Sequence, residues 1–312
     1  MPIVLITGGS GLVGTNLTRH LLEKGYQVII LSRTKKSSKD PNVSYSIWDV
    51  EKNIIDADVI KKADHIIHLA GAGIMDKKWT SEYKKVIVES RTKSAQLLIK
   101  AIKENENHIR TFVSASAIGW YGEDAKPLIK KEGFVETDLA AKDFIGETCL
   151  LWEASTEGVT ELGIRLVKLR TGIVLSTRGG EFKEFLTPLR FGLAPILGNG
   201  KQIVSWIHID DLSRMYIEAI ENNFLNGSYN AVAPMPLPQK DFILTLANKL
   251  KNKFFTPVYV PAFFLKILYG KRSIEILKSA TVNNKKIKSA GFTFLYPTIE
   301  AAIDELIKKK EV

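Results

Sequence analysis

The segment 3–14, which reads Ile-Val-Leu-Ile-Thr-Gly-Gly-Ser-Gly-Leu-Val-Gly, constrains the fold of this chain most strongly. Its four apolar residues, 3–6, are typical of a buried parallel strand, and an amphipathic helix follows over residues 12–24. The glycines between them fit two registers, G-x-x-G-x-x-G starting at Gly8 and G-x-G-x-x-G starting at Gly9. Because glycines allow a sharp turn and a helix start offers free N–H groups, the segment predicts a loop that binds the pyrophosphate of a dinucleotide.

Apolar segments alternate with helical patterns through the first half of the chain. The predicted strands are residues 3–6, 27–31, 43–48, 65–69, 111–114 and 165–169. The predicted helices are residues 12–24, 58–62, 80–104 and 143–157. This alternation is typical of right-handed βαβ units, so we expect an α/β fold with a Rossmann-type, doubly wound parallel sheet.

The alternation ends after residue 174, where Gly and Pro become frequent. Later patterns predict strands at residues 203–207 and 229–233 and helices at residues 211–221, 239–250 and 297–310. We therefore predict a Rossmann domain of residues 1–175, to which residues 203–232 return. A smaller, mostly C-terminal domain for the substrate would comprise residues 176–202 and 233–312.

The charge and cysteine content narrow the function classes. The net charge is +10, from 44 basic and 34 acidic residues, but the lysines form scattered pairs that are typical of a solvated surface. No nucleic-acid-binding module and no apolar run of roughly 18 residues is recognisable, so we expect neither nucleic acid nor a membrane as partner. The single cysteine, Cys149, excludes an intramolecular disulfide and fits a reducing, cytoplasmic location.

The residues after the second predicted strand indicate which dinucleotide is bound. The chain reads Ser32-Arg33-Thr34 there, followed by two lysines and without an acidic residue. An acidic residue at this point selects the free ribose hydroxyls of NAD, whereas an arginine accommodates the extra phosphate of NADP. We therefore predict NADP(H) as cofactor, with NAD(H) less favoured.

Small and polar residues after the neighbouring strands complete the predicted cofactor site. Asp49 follows the third strand, where it would either accept a hydrogen bond from the adenine amino group or serve only as a turn residue. The predicted cofactor contacts are Thr7, Gly8, Gly9, Ser10, Gly11, Leu12, Val13, Gly14, Ser32, Arg33, Thr34, Asp49, Leu69, Ala70, Gly71, Ala72 and Ser114.

Three motifs together resemble a known superfamily. They are the glycine segment 7–14, His-Leu-Ala-Gly at residues 68–71 and Ser-Ala-Ser-Ala-Ile-Gly-Trp-Tyr-Gly at residues 114–122. The chain resembles the extended short-chain dehydrogenase/reductases. Its Gln-x-x-Ser-Trp-Ile-His at residues 202–208 and Ala-Gly-Phe-x-Phe-x-Tyr-Pro at residues 290–297 resemble the sugar-nucleotide epimerase branch that carries a C-terminal domain of unknown function.

The resemblance implies hydride transfer assisted by a tyrosine, a lysine four residues later and a serine. Ser116 matches the serine, with Ser114 as a second candidate, but Phe144 and Thr148 stand where the tyrosine and the lysine are expected. A phenyl ring carries no exchangeable proton, so the protein either uses another acid or does not catalyse the reaction. Tyr121 is the nearest substitute, and its unperturbed phenol would need a helper at neutral pH; Lys142 and Glu147 could also reach the cleft.

The Gly-rich segment 179–202 lies where relatives hold a nucleotide sugar. The substrate contacts that we predict are Trp79, Phe185, Arg190, Gln202 and Trp206. No metal site is expected, because His65 and His68 are three residues apart on one strand and therefore point to opposite faces.

Two hypotheses for the function remain open. The first is an NADP(H)-dependent epimerase or oxidoreductase that acts on a nucleotide sugar or small carbonyl compound. The second is a cofactor-binding regulatory protein without turnover, which would fit relatives linked to cell division. Helices 80–104 and 143–157 could pair in a homodimer.

Overall fold

The main sheet places the motifs at residues 7–14, 68–71 and 114–122 at the carboxyl ends of three neighbouring strands. The computed structural model describes residues 1–124, 132–251 and 254–308, without the side chains of residues 181 and 251. The strands are β1 (Ile3–Thr7), β2 (Gln27–Ser32), β3 (Val43–Asp49), β4 (Ile54–Ile55), β5 (His65–His68), β6 (Thr111–Ala117), β7 (Arg165–Thr171), β8 (Ile173–Leu175), β9 (Leu193–Leu197), β10 (Ile203–Val204), β11 (Trp206–His208), β12 (Gly227–Ala231), β13 (Leu237–Pro238) and β14 (Thr256–Val260).

Helices flank the strands on both sides. They are α1 (Leu12–Glu23), α2 (Ala57–Lys62), α3 (Ser81–Glu104), α4 (Phe144–Ala154), α5 (Glu181–Arg190), α6 (Ile209–Glu221), α7 (Gln239–Lys251), α8 (Ala262–Tyr269), α9 (Ser273–Leu277), α10 (Lys285–Ser289) and α11 (Ile299–Lys308). Short 3₁₀ turns cover Ile118–Trp120, Glu157–Leu162 and Gly270–Arg272.

The described part of the main sheet has eight strands in the order β12-β7-β6-β5-β1-β2-β3-β4. All pairs are parallel except β3 with β4. The chain leaves β1 towards β2 on one side and later returns to β5 on the other, so the strand order reverses at β1. A crevice opens at the carboxyl ends of the strands at such a reversal, and ligands of open α/β sheets bind there. The predicted fold class is thus confirmed.

Two apolar cores cover the faces of this sheet. Helices α1 and α6 pack on one face, around Leu17, Leu21 and Met215, and helices α2 and α3 pack on the other, around Ile60 and Leu98. A further core joins α5, α7 and α11 through residues such as Phe182, Phe242 and Ile303. The side chains at these positions are removed from water, which is the dominant favourable contribution to folding.

Several element boundaries differ from the sequence expectation. The strand predicted at 111–114 extends to Ala117 as β6, so Ser116 lies within the strand rather than after it. Helix α5 and strand β9 were not predicted, because glycines and Pro188 suggested irregular structure there. Residues 309 and 310 of the last predicted helix lie outside the described residues. No helix in the described ranges is long and apolar enough to cross a membrane.

Candidate dinucleotide cleft

The glycine loop between β1 and α1 is packed too closely to admit side chains. Gly8 has φ +68°, and a Cβ there would lie 2.9 Å from the backbone of Leu69. A Cβ on Gly14 would lie 2.5 Å from the carbonyl oxygen of Gly8. The Gly11 N–H donates to that same oxygen at 3.0 Å, which closes the turn. Positions 8 and 14 therefore require glycine. This requirement is typical of a loop whose backbone lies directly against a ligand.

Helix α1 begins directly after this loop with free backbone donors. Its N-cap is Gly11, which supplies no side-chain hydrogen bond, and its first turn contains no acidic residue. The first N–H groups of a helix have no partner within the helix, and the dipole favours an anion at this end. The residues present therefore fit a pyrophosphate at the amino end of α1.

Thr7 ties the loop after β5 to the end of β1. The backbone N–H groups of Leu69 and Ala70 both donate to Thr7 Oγ1 at 3.1 Å. Gly71 and Ala72 continue this loop above Arg91, whose guanidinium donates to the Ala72 carbonyl at 3.0 Å. Predicted contacts on β1 and on the β5–α3 loop are thus neighbours.

The end of β2 lies beside the glycine loop. Leu31 pairs with Thr7 in the sheet register, and Ser32 and Arg33 follow at the same edge. Ser32 is buried, whereas Arg33 and Thr34 are exposed. Asp49 at the end of β3 accepts a hydrogen bond from the Lys52 N–H at 3.1 Å, as a turn residue does. The guanidinium of Arg33 is therefore accessible next to the loop.

Ser116 belongs to a buried ionic network. Its hydroxyl donates to Glu153 Oε1 at 2.7 Å, and Arg170 donates to both oxygens of Glu153, at 2.8 and 3.0 Å. Ser116, Glu153 and Arg170 are at most 4% exposed. Burial alone would lower the pKa of Arg170, but the hydrogen bonds and charge of Glu153 outweigh it and raise that pKa. Ser114, the second candidate, is fully buried, and its hydroxyl donates to the Ala115 carbonyl at 2.9 Å.

Tyr121 adjoins the same network. Its hydroxyl donates to Asn230 Oδ1 at 2.6 Å and accepts a hydrogen bond from Arg170 at 3.0 Å. The residue is 0% exposed, and burial raises its pKa to about 12 although Arg170 acts in the opposite direction. The structure therefore brings Ser116 and Tyr121 together through Arg170, with both hydroxyls directed into the interior.

Helix α4 begins at the position where the resemblance implies an acid. Phe144 is its first residue and packs against Trp79 with ring centroids 5.0 Å apart, while the Lys84 amine lies 4.4 Å from the centre of the Phe144 ring. Thr148, one turn later, is buried and donates to the Phe144 carbonyl at 2.6 Å. Cys149 beside it is also buried, and this burial raises its pKa to about 12. Such a thiol stays protonated at neutral pH.

A cavity of about 260 Å³ lies beside the start of α4, and the sequence analysis did not anticipate it. It is lined by Glu123, Asp143, Lys266, Ser273, Ile274, Leu277 and Lys278. The Lys278 amine lies 3.2 Å from Asp143, the N-cap of α4, and its side chain is only 8% exposed. Asp124 accepts hydrogen bonds from Ser279 and Thr281, which fixes this C-terminal segment against the β6–α4 loop. The only signal for this site in the sequence is the position of Asp143, which directly precedes Phe144.

The predicted substrate contacts separate into two groups. Trp79, just before α3, is partly exposed and packs against Phe144 of α4, and Arg190 is exposed at the end of α5. Trp206 is fully buried and donates to the Met235 carbonyl at 2.9 Å, and buried Gln202 donates to the Leu197 carbonyl at 3.0 Å. Phe185 packs on Phe242 in the core around α5 and α7. The polar groups of Gln202 and Trp206 are therefore bound to backbone carbonyls, whereas Trp79 and Arg190 remain accessible.

Groups of three or more potential metal ligands are absent from residues 1–124, 132–251 and 254–308. His68 contacts Thr7 and Ser94, and His65 is buried at the opposite end of β5. Burial lowers the pKa of both histidines to about 4.

Comparisons with known proteins extend along nearly the whole chain. The model of the NAD-dependent epimerase/dehydratase family matches residues 4–231, and the model of a domain of unknown function, DUF1731, matches residues 260–306. An epimerase family protein of Staphylococcus aureus is 33% identical over 309 residues, covering 99% of this chain and 100% of the relative.

Solved structures that are similar to this chain include an epimerase family protein and an epimerase. The human epimerase family protein SDR39U1, solved with NADPH, superposes with a TM-score of 0.85 at 27% identity, covering 98% of this chain and 99% of that one. A nucleoside-diphosphate sugar epimerase from Corynebacterium glutamicum superposes with a TM-score of 0.76 at 32% identity, covering 97% of this chain and 57% of that one. With its glycine loop, doubly wound sheet and C-terminal DUF1731 segment, the chain belongs to the NAD-dependent epimerase/dehydratase family.

Proposed function

We propose that this protein binds NADP(H) in the cleft at the carboxyl ends of β1, β2 and β5. The observation that carries the proposal is the glycine loop, in which a Cβ on Gly14 would lie 2.5 Å from the Gly8 oxygen directly before an uncapped helix. Such a loop lets a pyrophosphate approach backbone N–H groups without obstruction. The similar human SDR39U1 was solved with NADPH, which supports the same cofactor here.

Arg33 supports NADP(H) over NAD(H). Its exposed guanidinium follows β2, where the adenosine ribose of a bound dinucleotide would lie, and Ser32 and Thr34 add hydroxyl donors. Guanidinium groups bind phosphate through two parallel hydrogen bonds, whereas an acidic residue, absent here, would repel that phosphate.

We further propose that the reaction is hydride exchange with a nucleotide sugar or small carbonyl compound. Bound nicotinamide would supply or accept the hydride. The Tyr–Lys pair that the resemblance implies is replaced by Phe144 and Thr148, so a different group must handle the proton. Ser116 and Tyr121 remain our candidates, and their burial requires them to act through the Glu153–Arg170 network rather than as free hydroxyls.

The substrate would lie beside the start of α4, between Trp79 and the cavity that Lys278 lines. An aromatic face and a cation suit a sugar that carries phosphate groups. The name of the Corynebacterium relative, a nucleoside-diphosphate sugar epimerase, supports this class of substrate. Burial of Gln202 and Trp206 weighs against direct contact by those two residues, whereas exposed Arg190 is free to approach an anion.

A regulatory protein that binds the cofactor without turnover is the second candidate. The observation that favours it is the state of the Tyr121 phenol: its hydroxyl is fully buried, and burial raises its pKa to about 12. A proton donor must match the working pH to contribute to catalysis, and such a phenol does not.

Cofactor turnover distinguishes the two candidates. Purified protein is incubated with NADPH or NADP and a panel of nucleotide sugars and small carbonyl compounds, and absorbance of the reduced nicotinamide and product sugars are measured. Turnover that falls in Tyr121→Phe and Ser116→Ala, with NADPH affinity unchanged, supports the enzyme. Tight NADPH binding with no turnover on the whole panel supports the regulatory protein.

We also propose a cytoplasmic homodimer built on α3 and α4. Val86 on α3 and Leu150 and Leu151 on α4 are exposed apolar residues, each about half accessible, and are suited to a partner helix face. A mass measurement by light scattering tests this: the wild type should be a dimer, and Leu151→Glu should be a monomer.

A further inference from the structure

Helix α8 has an exposed apolar surface for which the folded chain provides no partner among its described residues. Only Leu265 of this helix is buried, at 3% exposure. Phe263 and Ile267 are 66% and 74% exposed, and Phe264 and Leu268 are 46% and 53% exposed. Scattered apolar residues are normal on a surface, but four on two successive turns form a continuous ridge.

Along the chain, the charged side chains within α8 and directly after it have one sign. Between Asp241 and Glu275 the sequence contains six basic residues and no acidic one. Lys266 lies within α8, and Lys271 and Arg272 follow it. Among residues 1–124, 132–251 and 254–308, no ion pair involves these three cations.

The same asymmetry extends over the C-terminal part of the chain. Residues 176–202 and 233–312 hold 18 of the 44 basic residues but only 8 of the 34 acidic ones, so the whole net charge of +10 lies in these segments. The rest of the chain is neutral overall. An anionic partner would therefore be attracted to these segments, which include α8.

We propose that α8 docks the protein on an anionic lipid surface. Phe263 and Ile267 would enter the boundary between headgroups and acyl chains, and Lys266, Lys271 and Arg272 would remain at the level of the headgroup phosphates. A short helix with an apolar face and adjacent cations binds membranes in this manner, lying in the interface without spanning the bilayer. The sequence pattern alone led to the expectation of no membrane partner; the exposure of α8 is the observation that changes it.

A second copy of the chain is a less suitable occupant. A two-fold contact would place the same patch of both subunits face to face, so that Lys266, Lys271 and Arg272 would meet a surface that carries the same three cations. Like charges at the centre of a contact oppose association, whereas an anionic bilayer neutralises them.

Flotation with vesicles tests the docking site. The full-length protein is mixed with vesicles of phosphatidylcholine alone or of equal parts phosphatidylcholine and phosphatidylglycerol, and the bound fraction is measured at low and high salt. The wild type should float with the anionic vesicles, remain largely free of the neutral ones, and be released by salt. The double variant Phe263→Ser with Ile267→Ser should bind the anionic vesicles at least about tenfold more weakly than the wild type, because it removes the apolar ridge. Lys271→Glu should weaken binding to the anionic vesicles only.

Phe224→Ser is the matched control, because Phe224 is 95% exposed on the connection between α6 and β12. It should bind like the wild type, and circular dichroism should show that every variant is folded. The proposal is overturned if the wild type does not bind anionic vesicles or if the double variant binds equally well. It is also overturned if the double variant instead converts a dimer to a monomer in light scattering while vesicle binding is absent, since a second copy would then cover α8.

Discussion

Thr7 Oγ1 lies 2.7 Å from His68 Nδ1, across the neighbouring strands β1 and β5. Because the N–H groups of Leu69 and Ala70 already donate to this oxygen, the Thr7 hydroxyl proton is directed at Nδ1. His68 therefore accepts at Nδ1 and is neutral, in agreement with burial lowering its pKa to about 4. This histidine is thus a structural support of the glycine loop.

Stability should decrease in acid because of this histidine. The unfolded chain binds a proton on His68 below its ordinary pKa of 6.5, whereas the folded chain does so only near pH 4. The free energy of unfolding should therefore fall as the pH falls from 6.5 to 4, by at most about 3 kcal/mol from this group. The free energy of unfolding, measured with urea between pH 6.5 and 4, should depend less steeply on pH in His68→Asn than in the wild type.

The matched control is His108→Asn, since the His108 side chain is 58% exposed. This variant should keep the pH dependence of the wild type. Equal slopes in the wild type and His68→Asn would show that His68 is not held neutral by the fold.

The ion pair between Glu153 and Arg170 should contribute strongly to stability. Glu153→Gln leaves the Arg170 guanidinium buried without its carboxylate, and Lys168, 4.0 Å from the same carboxylate, also loses it. Removing one partner of a buried pair costs about 3–5 kcal/mol. We expect a loss of about 3 kcal/mol in urea unfolding, since glutamine retains the shape of glutamate.

An exposed pair provides the comparison. Arg19 and Glu23 lie 2.6 Å apart on α1, with side chains 40% and 54% exposed. Glu23→Gln should change the free energy of unfolding by less than about 1 kcal/mol. Equal losses for the two variants would mean that the buried network is not a stabilising unit.

Most of the main sheet could be predicted from the sequence, because buried parallel strands are nearly continuous apolar runs and glycines mark the loop that follows β1. The run that ends at Thr7 and the helix that begins at Leu12 lie close to where the sequence indicated. The α5–β9 region could not be predicted in this way. Gly180, with φ +74°, ends an irregular segment directly before α5, and Pro188 lies inside that helix.

The residues around the start of α4 illustrate what a sequence pattern omits. Ser116 was recognisable from its motif, but it lies opposite Arg170, which shares its partner Glu153, only through the register of β6 with β7. Lys278 reaches Asp143 from a segment 135 residues away, and no local spacing records that contact. Long-range contacts of this kind depend on topology, which a single sequence does not specify residue by residue.

Cofactor selectivity should depend on Arg33. In Arg33→Ala the affinity for NADPH should fall about tenfold or more while the affinity for NADH stays the same, because only NADPH carries the ribose phosphate. Fluorescence titrations with both cofactors measure this. Lys61→Ala, which removes an exposed cation at the end of α2, is the control and should leave both affinities unchanged. Equal affinity of the wild type for the two cofactors would refute the role of Arg33.

The glycine loop should not tolerate even one added methyl group. Gly14→Ala places a Cβ 2.5 Å from the Gly8 oxygen and should distort the loop, whereas Gly158→Ala meets its nearest neighbour at an ordinary 3.7 Å. We expect Gly14→Ala to bind NADPH about tenfold more weakly, because backbone N–H groups that are displaced from the ligand lose their hydrogen bonds to it. Gly158→Ala should bind like the wild type.

Equilibrium titration of the wild-type protein with NADPH, followed by nicotinamide fluorescence, tests the central claim most directly. A saturable signal that Arg33→Ala and Gly14→Ala weaken and Gly158→Ala retains is the result predicted for a dinucleotide cleft at the end of β1. Absence of any response from folded wild-type protein to either NADPH or NADH, even at millimolar concentration, would contradict it.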